Sequence, residues 1–288
     1  MRKNPVLIVL SILLGLNLLA WVAVWELAGN GELEVTFFDV GQGDAIFIET
    51  PERQQILIDG GPNGQVILEK LGKGMPFWDR TIDLIVLSHP ERDHLAGLLE
   101  VLKRYKVESI LWTGVVRDTA EFTEWQELIK EEGAEIFIAK FGEKLSFLGK
   151  LSFLNELDIL YPFESAEGKE MKDSNNTSII ARLVFGETAF LFTGDASQSV
   201  ERQLSRFAGQ QLDSDVLKVA HHGSKTSTAP EFVEAVSPEI AVISVGKDNK
   251  YGHPHQEVLD NLKGVKILRT DLDGDIKIIS DGANYKVK

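Results

Sequence analysis

An α/β domain of sheets covered by helices, preceded by one N-terminal transmembrane helix, is the fold class predicted by this sequence of 288 residues. Three observations predict it. Strand-like and helix-like stretches alternate from residue 32 onward with hairpins between them, the pattern of sheets packed by helices. Residues 6–25 are apolar but for Ser11 and Asn17, and a helix of that length rises roughly 30 Å, the thickness of a bilayer core. No internal repeat, low-complexity tract or strong linker interrupts the chain after residue 31. The expected organisation is an anchor over residues 1–27, a short Ala28-Gly29-Asn30-Gly31 joint, and one domain over 32–288.

Arg2 and Lys3 precede the apolar run. Glu26, Glu32, Glu34, Asp39, Asp44, Glu49 and Glu52 follow it before the next basic residue, Arg53. The positive-inside rule then puts the N-terminus in the cytoplasm and the body of a single-pass cell-membrane protein outside. Trp21 and Trp25 fall where an interfacial aromatic belt sits. A cleaved signal peptide is the competing reading, but its apolar region runs about 7–15 residues before a small-x-small site. Here the run is longer, and Trp21, Trp25, Glu26 and Leu27 crowd the place of cleavage, which favours a retained anchor.

Within the domain, residues 35–39, 45–49 and 55–58 read as strands punctuated by Gly41, Gly43, Gly60 and Gly61. Residues 65–71 have helical spacing, 82–88 form a strand, and 95–105 an amphipathic helix with Leu98, Leu99 and Leu102 on one face. Strand 109–112, helix 123–132 and strand 135–139 follow. The polar stretch 161–174 reads as a surface loop. Strands 178–185 and 189–193 make a hairpin across Gly186-Glu187, then come helix 197–207, strand 216–220, helix 230–236 and strand 240–245. Helix 256–262 and strands 265–268 and 276–279 complete the chain.

Composition narrows the chemistry. A hydrophobic content of 43% with 26% charged residues is that of a globular protein. The absence of cysteine excludes a disulfide framework, a thiolate zinc site and a cysteine nucleophile together. Thirty basic against 44 acidic side chains gives a net charge of −14, which argues against a broad basic face tracking phosphates. It leaves room for a small anionic substrate held by metal ions.

The six histidines fall in three tight places: His89 with His94, His221 with His222, and His253 with His255. Core histidines would be scattered; this grouping points to a metal site. In Ser88-His89-Pro90-Glu91-Arg92-Asp93-His94, a strand delivers His89 at its C-terminal end and a helix is expected immediately after His94. Side chains at 89, 91, 93 and 94 can therefore converge. Asp195, after Gly194 at another strand end, can bridge two cations, or else cap the helix that follows. In His221-His222-Gly223-Ser224 one imidazole can face a metal while its neighbour faces the substrate or a carboxylate behind it. His221 is the expected ligand, though spacing alone does not decide between the two.

These motifs are familiar as a set. His89-Pro90-Glu91-Arg92-Asp93-His94, then Phe192-Thr193-Gly194-Asp195, then His221-His222-Gly223-Ser224 resembles the metallo-β-lactamase superfamily. More narrowly, the run from Phe38 to Ala45, the Leu57-Ile58-Asp59-Gly60-Gly61 turn and Tyr251-Gly252-His253-Pro254-His255 resemble the hydrolase domain of the ComEC-type competence (DNA-internalisation) proteins. The resemblance covers residues 33–280. It implies an αββα sandwich with metals at one edge of the two sheets, and hydrolase or nuclease-like chemistry. Asp39 and Asp59 then stand behind the ligands rather than serving as ordinary turn residues. A many-helix channel is not part of this sequence, so the resemblance implies a hydrolase module with its own anchor, working beside a separate competence channel protein.

Two departures from the superfamily pattern matter. Glu91 stands where a second histidine is common, and no histidine lies between His94 and His221, where Asp173-Ser174-Asn175-Asn176-Thr177-Ser178 runs instead. One metal position keeps Asp93, His94, Asp195 and His221; the other is left with His89, Glu91, Asp195 and a polar group from 173–178. One or two divalent ions are expected, manganese or zinc, with the oxygen-rich position favouring the harder ion. Such an ion acidifies its bound water to a pKa of about 7. In that reading Asp93 orients the nucleophile, and Asn176, Ser178, His222 or His253 hydrogen-bond phosphoryl oxygens. For Asn176 and Ser178, turn chemistry before a strand is the competing role. The expected function is an extracytoplasmic phosphodiesterase or nuclease acting on a phosphodiester such as DNA in its uptake. A hydrolase of a non-phosphate ester, lactone or lactam, and a catalytically weak surface binding module, are the alternatives.

Overall fold

The structure is a computed structural model that describes residues 5–27, 31–146, 155–171 and 173–288. The joint at 28–30 and the flanking Arg2 and Lys3 lie outside the described residues. Helix α1 runs Pro5–Leu27 with its apolar side chains exposed from Val6 to Trp21. Side chains on α1 are described only through residue 21, a rise of about 25 Å against the roughly 30 Å of a bilayer core. Among the described residues no helix is long and apolar enough to cross a membrane, so the expected transmembrane helix is not supported by the fold.

The chain then enters its first sheet. Strands β1 (Leu33–Phe37), β2 (Ile46–Glu49) and β3 (Gln55–Ile58) pair antiparallel in succession. Helix α2 (Gly64–Gly74), strand β4 (Thr81–Val86), helix α3 (Arg92–Leu102), strand β5 (Lys106–Trp112), helix α4 (Ala120–Glu132) and strand β6 (Glu135–Ile138) continue it as parallel β-α-β units. The second sheet begins with β7 (Lys144–Ser146), β8 (Asn155–Tyr161), β9 (Ile180–Phe185) and β10 (Thr188–Phe192), all antiparallel. It goes on through helix α5 (Gln198–Phe207), β11 (Val216–Lys218), α6 (Pro230–Val236), β12 (Ile240–Ile243), α7 (Gln256–Asn261), β13 (Lys266–Arg269) and the single-turn α8 (Thr270–Asp273). Strands β14 (Ile276–Ser280) and β15 (Tyr285–Val287) return to the first sheet beside β1. The orders are β15-β14-β1-β2-β3-β4-β5-β6 and β13-β12-β11-β10-β9-β8-β7.

Period-two alternation explains the layers. Ile46 and Ile48 of β2, and Ile56 and Ile58 of β3, face Leu183, Phe190, Phe192 and Val242 across the sheets, with Phe37 and Phe192 rings 6.3 Å apart. Phe47 and Leu57 point the other way, into helices α2 to α4. Apolar residues of both parities are what a sheet buried on both faces requires. Helices α5 and α6 cover the second sheet in the same manner, and the result is the αββα sandwich.

Three local expectations need correcting. Strands β7, β8 and β15 were not anticipated; β8 alternates Leu157 and Ile159 inward with Asp158 between, a pattern diluted by its charged residues. Tyr161 ends β8 and Ser174 is wholly buried, so the surface loop is shorter than 161–174. Helix α3 starts at Arg92, before Asp93 and His94 rather than after them. An aspartate in the first turn is stabilised there by the helix dipole.

Candidate metal centre

The C-terminal ends of β3, β4, β10, β11 and β12 meet at one edge of the sandwich, where open α/β sheets characteristically place their ligands. Close approach of α3 builds the first wall. A Cβ on Gly97 would lie 1.8 Å from the carbonyl oxygen of Gly60, so only glycine lets α3 sit this near the β3 turn. The Gly60 N–H donates to the His94 carbonyl at 2.8 Å and the Gly97 N–H to Gly61 at 2.9 Å, which seats His94 over Asp59.

Buried Asp59 accepts three hydrogen bonds: from the Ser88 N–H (2.8 Å), the Ser88 hydroxyl (2.6 Å) and His94 Nδ1 (2.7 Å). The Ser88 hydroxyl, its proton given to Asp59, is left to accept from His89 Nδ1 at 3.0 Å. His222 Nδ1 donates to the Ser244 carbonyl at 2.9 Å. Each Nδ1 is thus engaged by an oxygen behind the ring, which turns Nε2 toward the cleft.

There the Nε2 atoms of His89, His94 and His222 and Oδ1 of Asp195 are all buried, with no hydrogen-bond partner among the described residues. Asp195 is the hub. His94 Nε2 lies 3.4 Å from its Oδ1, while His222, His221 and His89 approach its Oδ2 at 3.6, 3.8 and 3.9 Å. His222 Nε2 is also 3.4 Å from Asp93 Oδ2. Asp93, His94, Asp195 and His222 each offer a ligand atom within 4.8 Å of the others. Orphaned imidazole nitrogens and carboxylate oxygens converging in this way are the donor set of a divalent transition-metal ion, and these residues fit one.

The electrostatics agree. Burial pushes the imidazolium pKa values down, but the carboxylates outweigh it at two positions. Asp195 and Asp59 hold His94 well above the ordinary histidine range, and Asp195 with Asp44 lift His222 to about 10. Burial raises Asp195, yet His222 and His94 bring it well below the usual carboxylate value. His89 is pushed down to about 3, by burial first and then by its neighbour His94.

Several expected residues land elsewhere. His222, not His221, occupies the centre; His221 stands at the margin, part-exposed, with Nδ1 3.2 Å from the Thr226 hydroxyl. Both carry left-handed backbone, φ 50° and 54°, which reverses the chain sharply and sends the adjacent rings to different places. Glu91 lines the same cleft but is not part of the converging donor group. Its carboxylate receives Arg117 in a fork at 2.9 and 3.0 Å and the Ser174 hydroxyl at 2.9 Å, so both of its oxygens are engaged by the protein. Ser178 is fully buried and accepts the Asp195 N–H at 2.9 Å while donating to the Asn175 carbonyl at 2.7 Å, a backbone role rather than a substrate contact. Asn176 is exposed and gives its carbonyl to the Tyr161 hydroxyl at 2.9 Å; Asn175 lines the cleft instead. His253 lines the cleft rim, its ring 5.9 Å from that of His221. Of the two aspartates expected behind the ligands, Asp59 is there; Asp39 accepts the Gly41 N–H at 3.2 Å and is a turn residue.

Two residues escaped the sequence reading. Buried Lys218 donates to the Gly194 carbonyl at 3.0 Å and pairs with buried Asp44, whose other oxygen is 3.4 Å from His222 Nδ1. A lysine inside the apolar run Val216-Leu217-Lys218-Val219-Ala220 was the available signal, because an ammonium is buried only beside a countercharge.

The cleft is open and polar, about 340 Å³, lined by Gln42, Asp93, Asn175, Asp195, His222 and Tyr251 among others. A larger groove of about 490 Å³ lies against β1, β2 and α2, but its Lys70, Lys277 and Arg53 are paired with Asp275, Glu34 and Glu49. The chemistry belongs to the smaller cleft.

Residues 38–247 match the metallo-beta-lactamase superfamily, and the chain belongs to that family. Its relatives include competence proteins. It is 32% identical over 267 residues to ComE operon protein 3 of Bacillus subtilis (strain 168), covering 86% of this chain and 33% of that protein. It is 32% identical over 275 residues to competence protein ComA of Neisseria gonorrhoeae, covering 91% of this chain and 36% of that one. The chain thus spans about a third of the length of these relatives. Among solved structures it resembles the metallo-beta-lactamase fold protein YhfI from Bacillus subtilis, with a TM-score of 0.57 at 13% identity over 86% of this chain and 99% of that one. That likeness shows the fold alone.

Proposed function

We propose that this chain is a metal-dependent phosphodiesterase whose natural substrates are nucleic acids. The observation that carries the reading is the ring of partnerless imidazole nitrogens around the two-oxygen hub of Asp195, opening on a polar cleft. Asp93, His94, Asp195 and His222 would hold one ion, with His89 and His221 reaching the same Asp195 oxygen from other sides. When bound, a divalent ion supplies Lewis acidity toward a phosphoryl oxygen and acidifies water at neutral pH. Manganese and zinc both suit mixed nitrogen and oxygen donors.

The chain's own groups do the rest. Asp93, ionised because His222 and His94 overcome its burial, faces the cleft and accepts a hydrogen bond from attacking water. His253, pushed down to about 4 by burial and by His222 and His221, is neutral at pH 7 and offers an N–H to a phosphoryl oxygen. Asn175 lines the same cleft. The kinship to competence proteins supports nucleic acid as substrate and a partner channel protein in DNA uptake. The exposed apolar surface of α1 supports a membrane anchor, which flotation of the full chain with vesicles tests. The basic residues before it and the acidic ones after it support an extracytoplasmic domain.

Hydrolysis of bis-p-nitrophenyl phosphate by chelator-stripped protein reloaded with manganese, zinc or magnesium tests the reading. Metal-dependent turnover lost in Asp93→Ala and in His222→Ala is the expected result. The engagement of Glu91 by Arg117 and Ser174, which withdraws one donor, favours the binding module as the second reading. Tight metal binding with no turnover of any phosphodiester would establish that module and overturn ours.

A further inference from the structure

We propose that Tyr251 is the stacking platform for an unpaired nucleobase next to the scissile phosphate, so that the cleft selects single-stranded nucleic acid; this rests on the phosphodiesterase reading above. Tyr251 is 64% exposed, yet it lines the same cleft as Asp93, Asp195 and His222. Its ring stacks on His253 with centroids 5.5 Å apart and planes 25° apart. His253 in turn lies 5.0 Å from His255 and 5.9 Å from His221, whose Nε2 is 3.8 Å from Asp195. An aromatic row therefore runs outward from the metal donors and ends on an open ring.

The loop that presents this ring is pinned. Asn249 Oδ1 accepts the N–H groups of Tyr251 (3.2 Å) and His253 (2.9 Å), and its Nδ2 donates to the carbonyls of Gly246 (2.8 Å) and His253 (2.9 Å). The Tyr251 hydroxyl has no protein partner among the described residues. The Tyr251 ring rests on His253 yet stays largely exposed in a polar cleft, and every nucleobase has a π-face to lay on such a ring. Charge agrees locally: Lys225, Lys247 and Lys250 are exposed near this rim without a carboxylate partner among the described residues, although Asp248 lies between two of them. The net charge of −14 disfavours long backbone tracking, so a short contact of one base with one phosphate is what this surface supports. A base inside a duplex is stacked on both faces and has none to offer.

The test is equilibrium binding of a labelled, hydrolysis-resistant phosphorothioate single strand to the manganese-loaded full chain, by fluorescence anisotropy. Tyr251→Ala should weaken binding by about tenfold or more, the scale of base–aromatic stacking, while Tyr251→Phe and Tyr251→Trp retain it. An abasic strand of the same length should bind wild type as weakly as the Ala variant and should not distinguish the two. Equal binding by wild type and Tyr251→Ala, a Phe variant as weak as Ala, or no binding of the strand by wild type would each overturn the proposal. Turnover of bis-p-nitrophenyl phosphate by wild type, run beside it, separately reports whether the phosphodiesterase reading stands.

Discussion

Replacing Lys218 with methionine strips a buried ammonium from beneath the metal centre and, among the described residues, leaves the buried Asp44 carboxylate facing His222 and His94. Removing one member of a buried pair costs about 3–5 kcal/mol, because the charge left behind is desolvated and unpaired. The structure gives an independent scale. Burial raises the pKa of Asp44, but Lys218 and then His222 bring it from 3.8 to about 2, a shift worth roughly 2 kcal/mol of stability. The lost hydrogen bond from Lys218 to the Gly194 carbonyl adds about 1 kcal/mol. The assay is urea denaturation of chelator-stripped protein, in which these are the charges that face Asp44. A folded-state pKa below the unfolded value contributes stability that is complete above about pH 4 and disappears as pH falls toward 2. The gap between wild type and Lys218→Met should therefore be about 3–5 kcal/mol at neutral pH and shrink between about pH 4 and pH 2. A gap below about 1 kcal/mol at neutral pH, or one that stays constant across that acid window, would refute the reasoning.

Three further outcomes are expected. Asp59→Asn, which weakens the support of His94 Nδ1 without touching the donor atoms, should lower manganese affinity by roughly 10- to 100-fold in equilibrium dialysis; His221→Ala should lower it less than His222→Ala. Gly97→Ala drives a Cβ into the Gly60 carbonyl and should destabilise the fold by about 1–3 kcal/mol while also weakening metal binding, because α3 carries Asp93 and His94; a variant with unchanged melting temperature and metal affinity would contradict the close-packing argument. Burial raises Glu201 to about 7, against the N–H groups of Ala229 and Thr228 that favour its ionised form. Its raised pKa means that stability declines as pH rises from about 4.5 to 7, so the advantage of wild type over Glu201→Gln in calorimetry should narrow across that range.

Much of the fold was legible because its strands and helices are strongly patterned and the histidines mark the strand ends. The helices behind each sheet follow from segments whose apolar spacing is unambiguous, and the strand-to-helix turn brings His89, Asp93 and His94 together. The αββα layering and the inclusion of Asp195 follow from the resemblance of the motifs. What the sequence hid depends on side-chain direction. Two adjacent histidines in left-handed backbone diverge, and nothing in the pair His221-His222 says which ring meets Asp195 more centrally. Glu91 has ligand chemistry and ligand spacing, but Arg117, 26 residues away, claims it first. Asp44, in the turn that leads into β2 of the first sheet, and Lys218, at the end of β11 in the second, meet only once both layers pack.

The central claim, that these imidazoles and carboxylates form a metal centre, makes a direct calorimetric prediction. With no ion bound, His222 (pKa about 10) and His94 (well above the ordinary range) both carry two ring protons at pH 7. Each must give up its Nε2 proton to become a ligand. Manganese titrated into stripped protein at pH 7, in buffers of different ionisation enthalpy, should therefore release about two protons per ion bound, and Asp195→Asn should abolish the binding heat. Uptake with no proton release, or equal uptake by Asp195→Asn, would contradict the account.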